Sequence, residues 1–144
     1  MWYEIKICPD DNDTWLVTSP AFPEVVTFGD STPEALENSR NAIEEAIAGR
    51  IARGEDIPFP MRETSGKGHF VQMPVMVILK AGLHMQLRQQ GLTRADLMRA
   101  LGCKREHVDR LFRLDHNSQM HSIEAAFKAL GVTLQINVPA LVAA

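Results

Sequence analysis

The stretch LTRADLMRALGCKREHVDRLFR, residues 92–113, decides how this chain is read. Thr93 is placed to cap a helix with its hydroxyl, and Asp96 falls in the first turn, near the positive end of the helix dipole. Leu97, Ala100 and Leu101 form the stripe that this helix would bury, with Met98 partly covered. Gly102-Cys103 makes a short turn. A second helix is expected from about 104 to 113, burying Val108, Leu111 and Phe112. Two short helices packed across a tight turn are the helix-turn-helix arrangement. The polar residues Lys104, Arg105, Glu106, His107, Asp109, Arg110 and Arg113 fall on the start and the exposed side of the second helix. A recognition helix presents its N-terminal residues to base edges in the major groove. Arginine bonds guanine with two hydrogen bonds, and Glu or Asp accepts from cytosine. This mixture of charges suits sequence reading better than general attraction to phosphate. The same spacing also describes an ordinary helical hairpin with a solvated face.

Working outward, Pro74 is followed by VMVILKAGLHMQLRQQG, with helical spacing at Val77, Ile78, Ala81, Leu83 or His84, and Leu87, and a stop at Gly91. Ser122-Ile123-Glu124 begins a last helix whose apolar content is Ala125, Ala126, Phe127, Ala129 and Leu130. The alternating run VTLQINV, 132–138, predicts a short C-terminal strand. A lone strand has unpaired edges, and pairing with its copy in a second subunit would make a dimer.

The front of the chain reads differently. WYEIKIC (2–8), TWLVTS (14–19) and EVVTF (24–28) are rich in aromatic and β-branched residues, and PDDND (9–13) between the first two is turn chemistry. Ser31-Thr32-Pro33-Glu34 offers an N-cap hydroxyl, a Pro tolerated in the first turn, and a Glu in capping-box position. Ala35, Leu36, Ser39, Ala42, Ile43, Ala46 and Ile47 then make one helical apolar stripe, which fades near Gly49 to Gly54. HFVQM (69–73) alternates again. The order β-β-β-α-β within about 70 residues predicts a small sheet with one helix on it.

A domain boundary after Met73 separates two charge regimes. Residues 1–73 hold 6 Lys+Arg and 13 Asp+Glu, a balance of −7; residues 74–144 hold 9 and 5, a balance of +4; together they give the −3 of the whole chain. A basic surface favours a polyanion, and an acidic one is compatible with a basic protein partner. No apolar run is long enough to span a bilayer, and MWYEIKICPDDND lacks the features of a signal peptide, so a cytoplasmic location without membrane contact is expected. Cys8 and Cys103 have no metal-ligand spacing and read as free thiols of a reducing compartment. Asp10, Asp11 and Asp13 lack the Gly and distant Glu of a calcium loop. No catalytic constellation stands out, so neither enzyme activity nor a metal or cofactor is expected.

Two resemblances follow from these residues. The run 92–112 resembles the helix-turn-helix of the Cro/phage-repressor family, with Leu92, Leu97, Leu101, Gly102, Val108 and Leu111 on framework positions. That resemblance implies a phosphate clamp at Arg94, base reading by Arg105, Glu106, Asp109 and Arg110, and a backbone contact at Arg113. Charged residues stand where that family often has Gln or Ser, so no operator sequence carries over. The front half resembles HicB-type antitoxins through YEIKI, FPEVVTFGDSTPEAL and IPFP. Gly29-Asp30-Ser31 followed by Glu34-Ala35 is similar to that family's G-D-T-x-x-E-A, with Ser for Thr and an intruding Pro33. This resemblance implies an α+β architecture: a partial, non-catalytic RNase H-like domain at 1–73 that blocks a small basic HicA-like mRNA-interferase toxin, and an all-α helix-turn-helix domain at 74–144 with the short terminal strand. The rear domain would bind the operator DNA of its own operon as a homodimer or higher even oligomer. Toxin contact is expected at Asp11, Trp15, Phe22 and Glu24. A stand-alone regulator with a ligand-sensing front domain is the alternative. An RNase H-like nuclease is a third, disfavoured because strand one offers only Glu4.

Overall fold

The structure, a computed structural model, describes residues 1–138. Strands β1 (Trp2–Pro9), β2 (Trp15–Thr18), β3 (Val26–Gly29) and β4 (His69–Gln72) form one antiparallel sheet in the order β3-β2-β1-β4. The β1–β2 register pairs Lys6 with Thr18 and Pro9 with Trp15, and the β1–β4 register pairs Tyr3 with Val71. Alternation sends Tyr3, Ile5, Val17 and Val71 into the core. The hairpin turn is closed by the Asp10 N–H donating to Thr14 O at 2.8 Å, and Asp13 takes a positive φ of 56°, which an Asp tolerates.

Helix α1 (Thr32–Arg53) lies on the sheet. Half of the expected capping box forms at its start: Ser31 Oγ accepts from the Glu34 N–H at 3.3 Å, while Glu34 Oε2 accepts from the Asp30 N–H at 2.8 Å, one residue before the N-cap. It buries Ala35, Ser39, Ile43, Ile47 and Ile51. The helix ends at the far limit of the expected Gly49–Gly54 range and runs through Gly49 unbroken. One glycine costs only about 1 kcal/mol in a helix interior, and the buried Ile47 and Ile51 carry the helix on to Gly54, whose φ of +67° ends it.

The rear half is four helices, α2 (Val75–Gln89), α3 (Arg94–Leu101), α4 (Arg105–Leu111) and α5 (Met120–Ala129). Their core is Val77, Leu83, Leu97, Val108, Leu111, Phe112, Ile123 and Phe127. Ala100, expected inside, is exposed, so the buried stripe of α3 is narrower than its spacing suggested. Contacts cross the 73/74 boundary: His84 Nε2 lies 2.8 Å from Glu55 O, Arg88 pairs with Asp56 at 2.7 Å, and the buried cluster runs without a break from Tyr3 to Leu130.

The expected strand at 132–138 is not formed within the chain. Among the described residues it pairs with no strand of the sheet. Val132 and Leu134 rest partly on the core, while Ile136 and Val138 are exposed. Among the described residues no helix is long and apolar enough to cross a membrane.

Candidate functional site

The helix pair α3–α4 is built from local signals. Thr93 Oγ1 accepts from the Asp96 N–H at 3.2 Å, and Asp96 Oδ2 accepts from the Thr93 N–H at 2.7 Å, so both orphan amides at the start of α3 are satisfied. These bonds hold the Asp96 carboxyl below the usual carboxylate range, led by the one from the Thr93 backbone. Gly102, at φ +60°, closes α3 in the left-handed conformation and turns the chain into α4. Helix α4 stops at Leu111, earlier than expected, because Phe112 is drawn into the core as its cap.

Lys104, Arg105, Glu106 and His107 lie together, exposed, at the start of α4, and Arg110 is exposed one turn on. Among the described residues, no hydrogen bond or ion pair engages the side chains of Lys104, Glu106, His107 or Arg110. Two other expected contact residues hold each other instead. Arg94 Nη1 donates to Asp109 Oδ1 at 3.2 Å, and its guanidinium stacks 4.7 Å above the Phe112 ring. Arg105 Nε is 3.6 Å from the other oxygen of Asp109. Asp109 therefore sits between two arginines, one oxygen accepting from Arg94 and the other facing Arg105. Arg113 lies beyond the end of α4 and is paired with Asp115 at 2.7 Å, which lowers the Asp115 pKa.

One residue of this region escaped the sequence reading. Lys80 on α2 is fully buried, and its Nζ donates to the carbonyls of Arg110, Arg113 and His116 at 3.0, 2.6 and 2.6 Å. The last carbonyls of a helix have no intrahelical donor; the ammonium supplies one at the end of α4 and ties down the loop after it. Burial lowers the Lys80 pKa, and the charge of Asp115 offsets part of that effect. The only signal in sequence was a lysine inside an otherwise apolar helical run.

The four residues expected to meet a protein partner do not converge. Phe22 is fully buried, edge-on to Tyr3 at 4.9 Å and under the Arg50 guanidinium at 5.2 Å. It is a core residue and cannot form a contact surface; the prolines around it suggested a loop, but the loop folds its aromatic inward. Glu24 is exposed yet gripped by Arg50 through two bonds of 2.7 and 3.0 Å, which lower its pKa. Asp11 is exposed at the hairpin tip, and Trp15 is half-buried close by, at the end of β2 remote from Glu24. The strongest exposed apolar groups nearby, Val26 and Phe28 on the edge strand β3, were not singled out in sequence.

An antiparallel sheet with one helix on it, followed by a helical bundle with a solvated polar helix start, defines a small mixed α+β protein of two unlike halves. Residues 2–82 match the model of a family described as the HicB-like antitoxin of bacterial toxin–antitoxin systems, and the chain belongs to that family. It is 29% identical over 136 residues to Antitoxin HicB of Escherichia coli K12, covering 94% of this chain and 98% of that one. It is 31% identical over 136 residues to Antitoxin HicB 2 of Photorhabdus laumondii, covering 94% and 95%. The crystal structure of the Burkholderia pseudomallei antitoxin HicB is similar with a TM-score of 0.45 and 19% identity, over 66% of this chain and 90% of that one.

Proposed function

We propose that this chain is an antitoxin that binds and neutralises a small basic HicA-like ribonuclease toxin through its acidic front half, and represses its own operon through α3 and α4. The observation that carries the DNA reading is the start of α4. Four exposed polar side chains, Lys104, Arg105, Glu106 and His107, stand on a helix whose opposite side, Val108 and Leu111, is buried. Family membership and the −7 balance of residues 1–73 support the toxin reading. The β-β-β-α-β order is consistent with a partial RNase H-like front domain at 1–73, with 74–144 as the DNA-binding domain. A homodimer joined through 132–138 would give that exposed segment the partner it lacks within one chain. In such a dimer, half-sites lie about one helical turn apart or a multiple of it.

The test is a pull-down of the tagged chain expressed with its flanking genes in its own host, together with footprinting of the adjacent promoter. A small basic ribonuclease recovered in near-equal amount, toxic when expressed alone, supports the antitoxin reading. Promoter protection without any protein partner moves the assignment to a stand-alone regulator.

A further inference from the structure

Between the C-terminal end of α1 and the rear bundle lies a cleft of about 730 Å³. Its lining includes Arg53 from the front half and Arg88, Arg94 and Arg113 from the rear, against one carboxylate, Asp115, with His84 in its wall. Each arginine has an acidic partner: Arg53 with Glu55, Arg88 with Asp56, Arg94 with Asp109 and Arg113 with Asp115. Of these carboxylates only Asp115 lines the cleft, so its wall presents four guanidinium groups, each with one carboxylate partner, and a single carboxylate. The Arg53 and Arg113 side chains are more than half exposed. Exposed ion pairs of this kind are weak and screened by salt, and a guanidinium has five donors, so a pair to one carboxylate leaves donors for a second anion.

A second hollow shares one lining residue with the first. It is lined by Thr93, Ala95, Met98, Arg105, Val108 and Asp109, and again by Arg94. Arg94 is thus common to the groove between α3 and α4 and to the interdomain cleft. Arginines of α4 (Arg105), α3 (Arg94) and α1 (Arg53) therefore line two hollows that have Arg94 in common.

We infer that this cleft takes a backbone phosphate of the bound DNA, and that Arg53 of the otherwise acidic front half is a phosphate contact. The inference rests on the DNA-binding reading above and extends it beyond the helix pair. It makes the front half part of the DNA footprint, although that half carries the chain's excess of negative charge.

Salt dependence isolates the contact. Each neutralised phosphate adds about 0.9 to the slope of log K against log salt. The affinity of Arg53→Ala for promoter duplex should therefore fall roughly 3.5-fold less than that of the unaltered protein between about 50 and 200 mM salt. Its preference for promoter over unrelated duplex should stay unchanged. Arg40→Ala, which removes an exposed charge from the same helix outside the cleft, should keep the unaltered slope. Equal slopes for Arg53→Ala and the unaltered protein, with promoter binding intact, overturn the inference and leave the DNA reading standing. Failure of the unaltered full-length protein to bind its promoter overturns both. Inorganic phosphate that raises the melting temperature of the unaltered protein but not of Arg53→Ala, with the DNA slope unmoved, shows a free-anion site and overturns the DNA assignment.

Discussion

Replacing Lys80 by Met tests the clamp on α4 directly. Met keeps most of the buried stem and removes the ammonium that bonds Arg110 O, Arg113 O and His116 O. Hydrogen bonds to a charged donor contribute about 1.5–3 kcal/mol each, so three give roughly 4.5–9 kcal/mol gross. Burying the ammonium costs several kcal/mol in the opposite direction. The carbonyls also keep weaker donors: the Arg113 N–H at 3.3 Å for Arg110 O, the His116 N–H at 3.3 Å for Arg113 O, and the Ser118 N–H at 3.1 Å for His116 O. The expected net loss is about 2–4 kcal/mol, from these opposing terms. At about 2–4 °C per kcal/mol for a chain near this size, the melting temperature should drop roughly 4–16 °C. Thermal unfolding followed by circular dichroism measures it. A Lys80→Met protein as stable as the original within about 0.5 kcal/mol would refute the clamp, and a more stable one would show that the burial cost outweighs the three bonds.

Gly29→Ala should destabilise by at least about 1–3 kcal/mol, since a Cβ there would fall 2.4 Å from Ala35 N and 2.7 Å from Ala35 Cα; an unchanged denaturation midpoint would mean that β3 and α1 part freely. Burial lowers the His84 pKa, so the unfolded chain binds a proton first as pH drops below about 6.5 and folding stability falls on acidification through that window; His84→Gln should flatten this part of a stability–pH curve, and an unaltered curve counts against a buried neutral imidazole. Arg105→Ala should cost about 1–3 kcal/mol on the promoter and relax base preference at one position; an equal loss on unrelated duplex would make it a phosphate contact only. Asp109→Asn removes the negative charge between Arg94 and Arg105 and should raise affinity for unrelated duplex by a few-fold; a selective loss on promoter DNA would make Asp109 a base reader after all.

The sheet-and-helix front was legible because its signals are local. The Ser31 cap on α1, the Asp-rich turn and the period-two strands each read from a few neighbouring residues. So did Thr93, Asp96 and Gly102, which bound α3 as expected. What failed depended on packing partners that sequence spacing does not name. Phe22 looked like a loop aromatic and is core because Tyr3 and Arg50 enclose it. That Arg94 and Asp109 bond each other across the turn, fifteen residues apart, is not legible from spacing. The run 132–138 has the alternation of a strand, and among the described residues of one chain it pairs with none. Lys80 was hidden for the same reason, since its three acceptors lie 30 to 36 residues away.

Helix α2 is where these long-range contacts accumulate. Lys80 and His84 stand four residues apart, one turn along the same face. The first holds the end of α4 and the second reaches Glu55 O in the front half. One turn further, Arg88 bonds the Gly54 carbonyl and pairs with Asp56. Met85, on the same stretch, accepts the Ile57 N–H at 3.2 Å. Two turns of one helix therefore fix the orientation of α4 relative to α1 and the sheet. A partner on the front half that breaks the His84 and Arg88 contacts acts on the helix that clamps α4, which gives the two ends of this protein a physical connection.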